Sequence, residues 1–158
     1  MKKMNIYLET TVFNRYFEPE RDSYSETRLL FEEIAAGKYE AYTSVYVIEE
    51  LSNTADALKR NDMLELISRY NIGILDKSAQ AMALADQYAR LGIISEAHTL
   101  DRLHVACASA NGLDAIISFN FSHINRLKTK IMIPYANKIY GYEPVSICVP
   151  LEVIGNDE

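Results

Sequence analysis

The sequence predicts an α/β fold built on a parallel sheet. Two observations carry that expectation. Short extended runs alternate with helical stretches along the whole chain. The extended runs are also separated by helix-length segments, never by the two-residue turns that join hairpins. At 158 residues the chain is long enough to bury a sizeable core. Its 49% apolar and 24% charged residues suit a globular domain.

Taken in order, the candidate strands are Met4–Leu8, Glu40–Thr43, Ile72–Leu75, Ala115–Ile117 and Ser146–Val149. Ser23 stands where it can cap a helix, with Glu26 placed to reach back in a capping box. That helix presents Leu29, Leu30, Ile34 and Ala35 inward and stops at Gly37, a residue suited to the left-handed position past a helix end. Ser78 opens a further helix that Gly92 closes. Thr99 is placed to cap a helix from Leu100 to Asn111, ended by Gly112. Pro134 suits the first turn of a short late helix. Residues 1–154 read as a single domain, with 155–158 as a frayed polar tail.

Composition excludes several classes. No apolar run approaches the ~20 residues of a membrane span. Met1-Lys2-Lys3 leads straight into a strand, without a signal-peptide cleavage site. Cys107 and Cys148 lie in apolar segments without metal-ligand spacing and read as buried free thiols. A reducing cytoplasm is the expected location. The net charge of −6 weakens a nucleic-acid reading, although Arg126, Lys128 and Lys130 cluster late in the chain.

The chemistry sits where strands end. Glu9-Thr10-Thr11 follows the first strand, with no glycine in the turn from Glu9 to Asn14. Phosphate-binding loops need glycine there so that backbone can approach phosphate, so both dinucleotide and nucleotide-hydrolase loops are excluded. Glu9 reads either as a site carboxylate or as a solvated acid beside a Thr10 or Thr11 cap. Glu50 lies six residues after Ser44, on a helix whose other face carries Val45, Ile48 and Leu51, whereas Glu49 reads as solvated. Asp101 falls in the first turn of an otherwise apolar helix, where dipole stabilisation alone would favour an acid. His104 lies on the stripe of Leu100, Leu103 and Cys107 and reads as a core or boundary histidine. His98 and His123 show no zinc spacing. Ser118-Phe119-Asn120 ends the fourth strand, with Asn120 suited to capping the next turn. In an open parallel sheet the carboxyl ends of the strands gather on one edge. Carboxylates delivered there suit a hard divalent cation.

Together these segments resemble the PIN-domain family of metal-dependent ribonucleases, particularly VapC-like toxins of toxin–antitoxin pairs. The resemblance rests on Tyr7-Leu8-Glu9-Thr10-Thr11-Val12-Phe13, on Thr43-Ser44 with Glu50-Leu51, on Asp101-Arg102-Leu103-His104-Val105-Ala106, and on Ser118-Phe119-Asn120-Phe121-Ser122-His123-Ile124. It implies a three-layer αβα sandwich with a central parallel sheet of about five strands. It also implies an endoribonuclease in which Glu9, Glu50 and Asp101 hold Mg²⁺ or Mn²⁺ while Asn120 and Ser118 place water. An RNA substrate, a small antitoxin and a homodimer follow from the same resemblance. Two departures stand out: Glu9 where the family usually has aspartate, and neutral Asn120 where it often has an acid. They motivate an alternative, an inactive PIN-like module for RNA binding or protein interaction. Acids crowded in an empty cleft are also expected to repel one another and titrate high.

Overall fold

In the computed structural model, which describes residues 2–155, five parallel strands form one sheet. They are β1 (Met4–Leu8), β2 (Tyr39–Ser44), β3 (Gly73–Leu75), β4 (Ala115–Ile117) and β5 (Ser146–Cys148), in the order β3-β2-β1-β4-β5. The helices are α1 (Thr10–Arg15), α2 (Tyr24–Ala35), α3 (Val45–Ser52), α4 (Ala57–Arg69), α5 (Ala79–Arg90), α6 (Thr99–Ala110) and α7 (Leu127–Ile139). α1 to α4 pack among themselves, and α5 packs on α6 and α7. Right-handed crossovers set these two groups on opposite faces, giving the three-layer sandwich. Ile6, Tyr7 and Leu8 are all buried, as in a strand covered on both faces.

Helix ends follow local chemistry. Ser78 caps α5 by accepting from the Ala81 amide at 3.1 Å. Gly37, with φ of 82°, adopts past α2 the left-handed conformation that glycine allows at no steric cost. The strands match expectation to within a residue at each end. The whole of α4 has no counterpart in the sequence reading, and short α1 is capped by Glu9 instead of Thr10 or Thr11.

Several expectations fail for identifiable reasons. Ser23 precedes α2, but with φ −83° and ψ 3° it makes no side-chain cap. Its hydroxyl accepts from Arg15 Nη1 at 2.7 Å, so no capping box forms with Glu26. The buried face of α2 is Thr27, Leu30, Phe31 and Ile34, an uninterrupted i, i+3, i+4, i+7 stripe, while Leu29 and Ala35 are exposed. Thr99 begins α6 without capping it, because its hydroxyl donates back to the Glu96 carbonyl at 3.2 Å. Pro134 lies inside α7. A proline there forfeits a backbone bond and crowds the carbonyl four residues back, at about 3 kcal/mol. Burial of Thr129, Ile133, Ala136 and Asn137 on both sides of it outweighs that preference. Cys148 is half-buried, whereas Cys107 is buried and its thiol is pushed up to about 11. Gly155 is tied down, its amide donating to Glu33 Oε2 at 3.1 Å, and the remaining tail residues, 156–158, lie outside the described residues. No helix among the described residues is long and apolar enough to cross a membrane.

Candidate active site

β1 lies at the centre of the sheet, with β2 on one side and β4 on the other. The strand order reverses there, and such switch points open a crevice at the carboxyl ends of the strands. Glu9 enters it from β1 and Ser118 from β4. Glu9 is 2% exposed and is itself the N-cap of α1. Its Oε1 accepts from the Thr11 amide at 3.2 Å, the Thr11 hydroxyl at 2.5 Å and the Ser118 hydroxyl at 2.7 Å. The solvated reading of Glu9 is therefore overturned. Both hydroxyls are aimed by β4's exit loop, since the Phe119 amide donates to Thr11 Oγ1 at 2.8 Å and the Asn120 amide to Ser118 Oγ at 3.0 Å.

Glu50 arrives on α3, whose start Ser44 caps by accepting from the Tyr46 amide. Its Oε1 accepts from Thr10 Oγ1 at 2.6 Å and stands 2.5 Å from His104 Nε2. His104 is fully buried, with Nδ1 2.7 Å from the Tyr7 hydroxyl, which lies 2.6 Å from Ser44 Oγ. Glu49 points to solvent and pairs with Lys77, as the sequence suggests.

The titration pattern differs from simple crowding of acids. Burial pushes Glu9 above its ordinary value, and its neighbours only partly offset that. Burial also pulls Glu50 upward, but the hydrogen bond and charge of His104, with Thr10, outweigh it, so Glu50 is lowered. Burial disfavours the charged His104, yet Glu50, Glu9 and Asp101 together raise it. Mutual repulsion is thus a minor cause, because a histidine stands among the acids. Glu50, His104, Tyr7 and Ser44 thus form one continuous chain of short side-chain contacts.

Asp101, half-buried in the first turn of α6, accepts from Asn120 Nδ2 at 3.1 Å through Oδ1. Asn120 Oδ1 accepts from the His123 amide at 3.0 Å. Asn120 therefore caps its turn and steers Asp101 at once, and Ser118 is occupied with Glu9. Hydrogen bonds thus link Ser118 to Glu9 and Asn120 to Asp101 across two loops.

Sequence reasoning missed His104, Tyr7 and the division of labour between Thr10 and Thr11. A usable signal existed: a histidine on a wholly buried helix face needs two polar partners. Carboxylate oxygens of Glu9 and Glu50 and a nitrogen of His104 lie within 4.8 Å of one another. Both His104 nitrogens are engaged, so His104 positions Glu50 and is a poor ligand. In contrast, each glutamate is held through Oε1 alone, and neither Oε2 makes a hydrogen bond among the described residues. Two oriented carboxylates with an oxygen free apiece fit a hard divalent cation.

A family model for the PIN domain matches residues 6–128. A comparison with curated proteins by sequence finds no match. Among solved structures, the chain is similar to VapBC2 from Rickettsia felis bound to a DNA fragment from their promoter, with TM-score 0.57 and 18% identity over 91% of this chain and 98% of that one. It is also similar to VapC20 of Mycobacterium tuberculosis, a sarcin–ricin loop cleaving toxin, with TM-score 0.54 and 12% identity over 74% and 91%. At these identities the likeness is one of fold.

Proposed function

Because the chain belongs to the PIN domain family, we propose that it is a metal-dependent endoribonuclease, the toxin of a toxin–antitoxin pair. The observation that carries this reading is the pair Glu9 and Glu50, each anchored through one oxygen with the other left free. Glu9, Glu50 and Asp101 would hold Mg²⁺ or Mn²⁺. When bound, such an ion lowers the pKa of water and polarises the scissile phosphodiester. The protein's part is to hold the acids still. Thr11 and Ser118 aim Glu9, Thr10 and His104 aim Glu50, and Asn120 aims Asp101. Water adds to phosphorus, the P–O3′ bond breaks, and the 3′ oxygen takes a proton, leaving 5′-phosphate and 3′-hydroxyl ends.

The partners belong to the same reading. Complexes and toxins among the fold neighbours support an RNA substrate and a small antitoxin, whose arginine or lysine would suit an acidic cleft. A homodimer is supported by the exposed stripe of Leu127, Ile131, Tyr135 and Ile139 along α7. Residues 1–154 acting as a single domain, in the cytoplasm, complete the reading. Incubating the pure protein with mixed RNA and Mg²⁺ or Mn²⁺ tests it. Cleavage should need the metal and should be lost in Asp101→Asn, and activity persisting in chelator defeats the metal mechanism.

The burial that raises Glu9 supports a second reading, a catalytically inactive module for RNA or protein binding. Metal titration separates the two, since a catalytic site should give thermal stabilisation by Mn²⁺ and an inactive one none at millimolar metal.

A further inference from the structure

We propose that His98, Asp101 and His123 form a distinct site for an imidazole-preferring divalent cation of the zinc class. Their ligand atoms lie within 4.8 Å of one another, although the two histidines stand 25 residues apart in the chain. His98 is the residue before α6, Asp101 is in its first turn, and His123 lies in the turn after β4. The two imidazoles stack with centroids 3.6 Å apart and planes 27° from parallel.

Three features distinguish this cluster from a chance meeting of surface side chains. First, no ring nitrogen of His98 or His123 makes a hydrogen bond among the described residues, the reverse of His104, whose two nitrogens are both engaged. Free nitrogens are what ligation requires. Second, Asn120 ties the loop that carries His123 to the carboxylate of Asp101. Asn120 donates to Asp101 through Nδ2 and accepts from the His123 amide through Oδ1, so one side chain orients the Asp101 carboxylate and holds the backbone at His123. Third, the approach to His98 is braced. The buried Arg102 donates to the carbonyl of Ser95 and, at 3.2 Å, to Thr99 Oγ1. Ile94 beside it is held in the left-handed region at φ 61°, which a β-branched residue adopts only when its surroundings impose it.

The donor set decides the ion. Two imidazoles and one carboxylate favour zinc and its neighbours, whereas Mg²⁺ prefers oxygen ligands throughout. Around a tetrahedral ion, ligand atoms about 2.1 Å from the centre stand about 3.4 Å apart, so side-chain rotations must draw the three atoms together to complete the set. All three residues are half-buried, leaving the ion one side open to water or a ligand. The site shares Asp101 with the proposed catalytic acids but is defined by the histidines, and it can be tested without RNA.

Calorimetric titration of the full chain with Zn²⁺, and separately with Mg²⁺, provides the test. His98→Ala/His123→Ala should weaken Zn²⁺ at least tenfold, while Glu49→Gln, a surface change, leaves Zn²⁺ binding within twofold. Zinc affinity unchanged by loss of both histidines overturns the proposal. On the unaltered chain, which has three histidines in all, Zn²⁺ should shift the ring resonances of two and spare His104. Shifts confined to His104, or a thiolate charge-transfer band with Co²⁺, would also overturn it. A Glu9→Gln chain that fails to cleave RNA yet still binds Zn²⁺ separates this site from the nuclease reading.

Discussion

The Glu9–Glu50–His104 network and the His98–Asp101–His123 cluster occupy the loops around one sheet edge, yet they are held in different ways. In the first, the groups satisfy one another: Thr10, Thr11, Ser118 and Tyr7 all bond to an acid or to the histidine, and among the described residues the two Oε2 atoms have no hydrogen-bond partner. In the second, the half-buried rings make no ring-nitrogen hydrogen bond among the described residues, and Asn120 holds the Asp101 carboxylate and the His123 backbone. Burial makes an unpaired polar atom costly, so the inner network has to be internally saturated. The outer cluster, partly in water, does not. Substitutions inside should therefore disturb chemistry, and stability too where they leave a buried partner unpaired, whereas those at His98 and His123 should affect mainly ligand binding.

The largest expected effect breaks the inner network at a proposed ligand. Glu9→Gln should cut RNA cleavage by more than about 100-fold, beyond the loss usual for residues that only support a ligand. Its melting temperature should hold or rise, because the amide removes a carboxylate that burial disfavours. If the variant unfolds while metal affinity is unchanged, Glu9 is a structural residue.

Next comes the partner that only positions. His104→Ala leaves Glu50 without its charged hydrogen bond, a loss of about 2 kcal/mol. That corresponds to a melting temperature lower by about 4–8 °C. Cleavage should fall by about 10–100-fold, the range for a supporting group. A melting curve like that of the parent would mean that the His104–Glu50 pair contributes nothing net.

Stability should also depend on pH, with a sign that the network sets. His104 is raised, so its contribution is full below its usual 6.5 and is lost as pH climbs through the folded value. Glu50 is lowered, so its contribution is full above its usual 4.5 and is lost as pH falls through the folded value. Glu9, being raised, contributes fully below its usual 4.5 and loses that contribution as pH rises through its folded value. Thermal unfolding across pH should show greatest stability between those two usual values, and His104→Gln should flatten the alkaline decline. An unaltered slope in that variant would assign the decline to other groups.

The outer cluster should be quieter. Without metal, His98→Ala/His123→Ala should shift stability by no more than about 0.5 kcal/mol, as for partly exposed positions. A larger loss would mean that the stacked rings hold the loops together. Smallest of all, Glu49→Gln breaks only the surface pair with Lys77 and should leave melting and cleavage unchanged.

By itself the sequence determined the alternating architecture, the places where strands end and the order in which Glu9, Glu50, Asp101, Ser118 and Asn120 follow one another. These are properties of neighbouring residues. Period-two and helical patterns, capping residues and glycines act within a few positions, so β1 and β4 can be read directly from Met4–Leu8 and Ala115–Ile117. Local rules failed where packing competed with them, as at Pro134 inside α7 and at Ser23, whose hydroxyl serves Arg15. Only the tertiary structure decided which groups meet. Glu9 meets Ser118 across 109 positions, Glu50 meets His104 across 54, and His98 stacks on His123 across 25. No periodicity encodes such pairings, because they arise when the crossovers bring separate loops to one edge and buried polar atoms must find partners there.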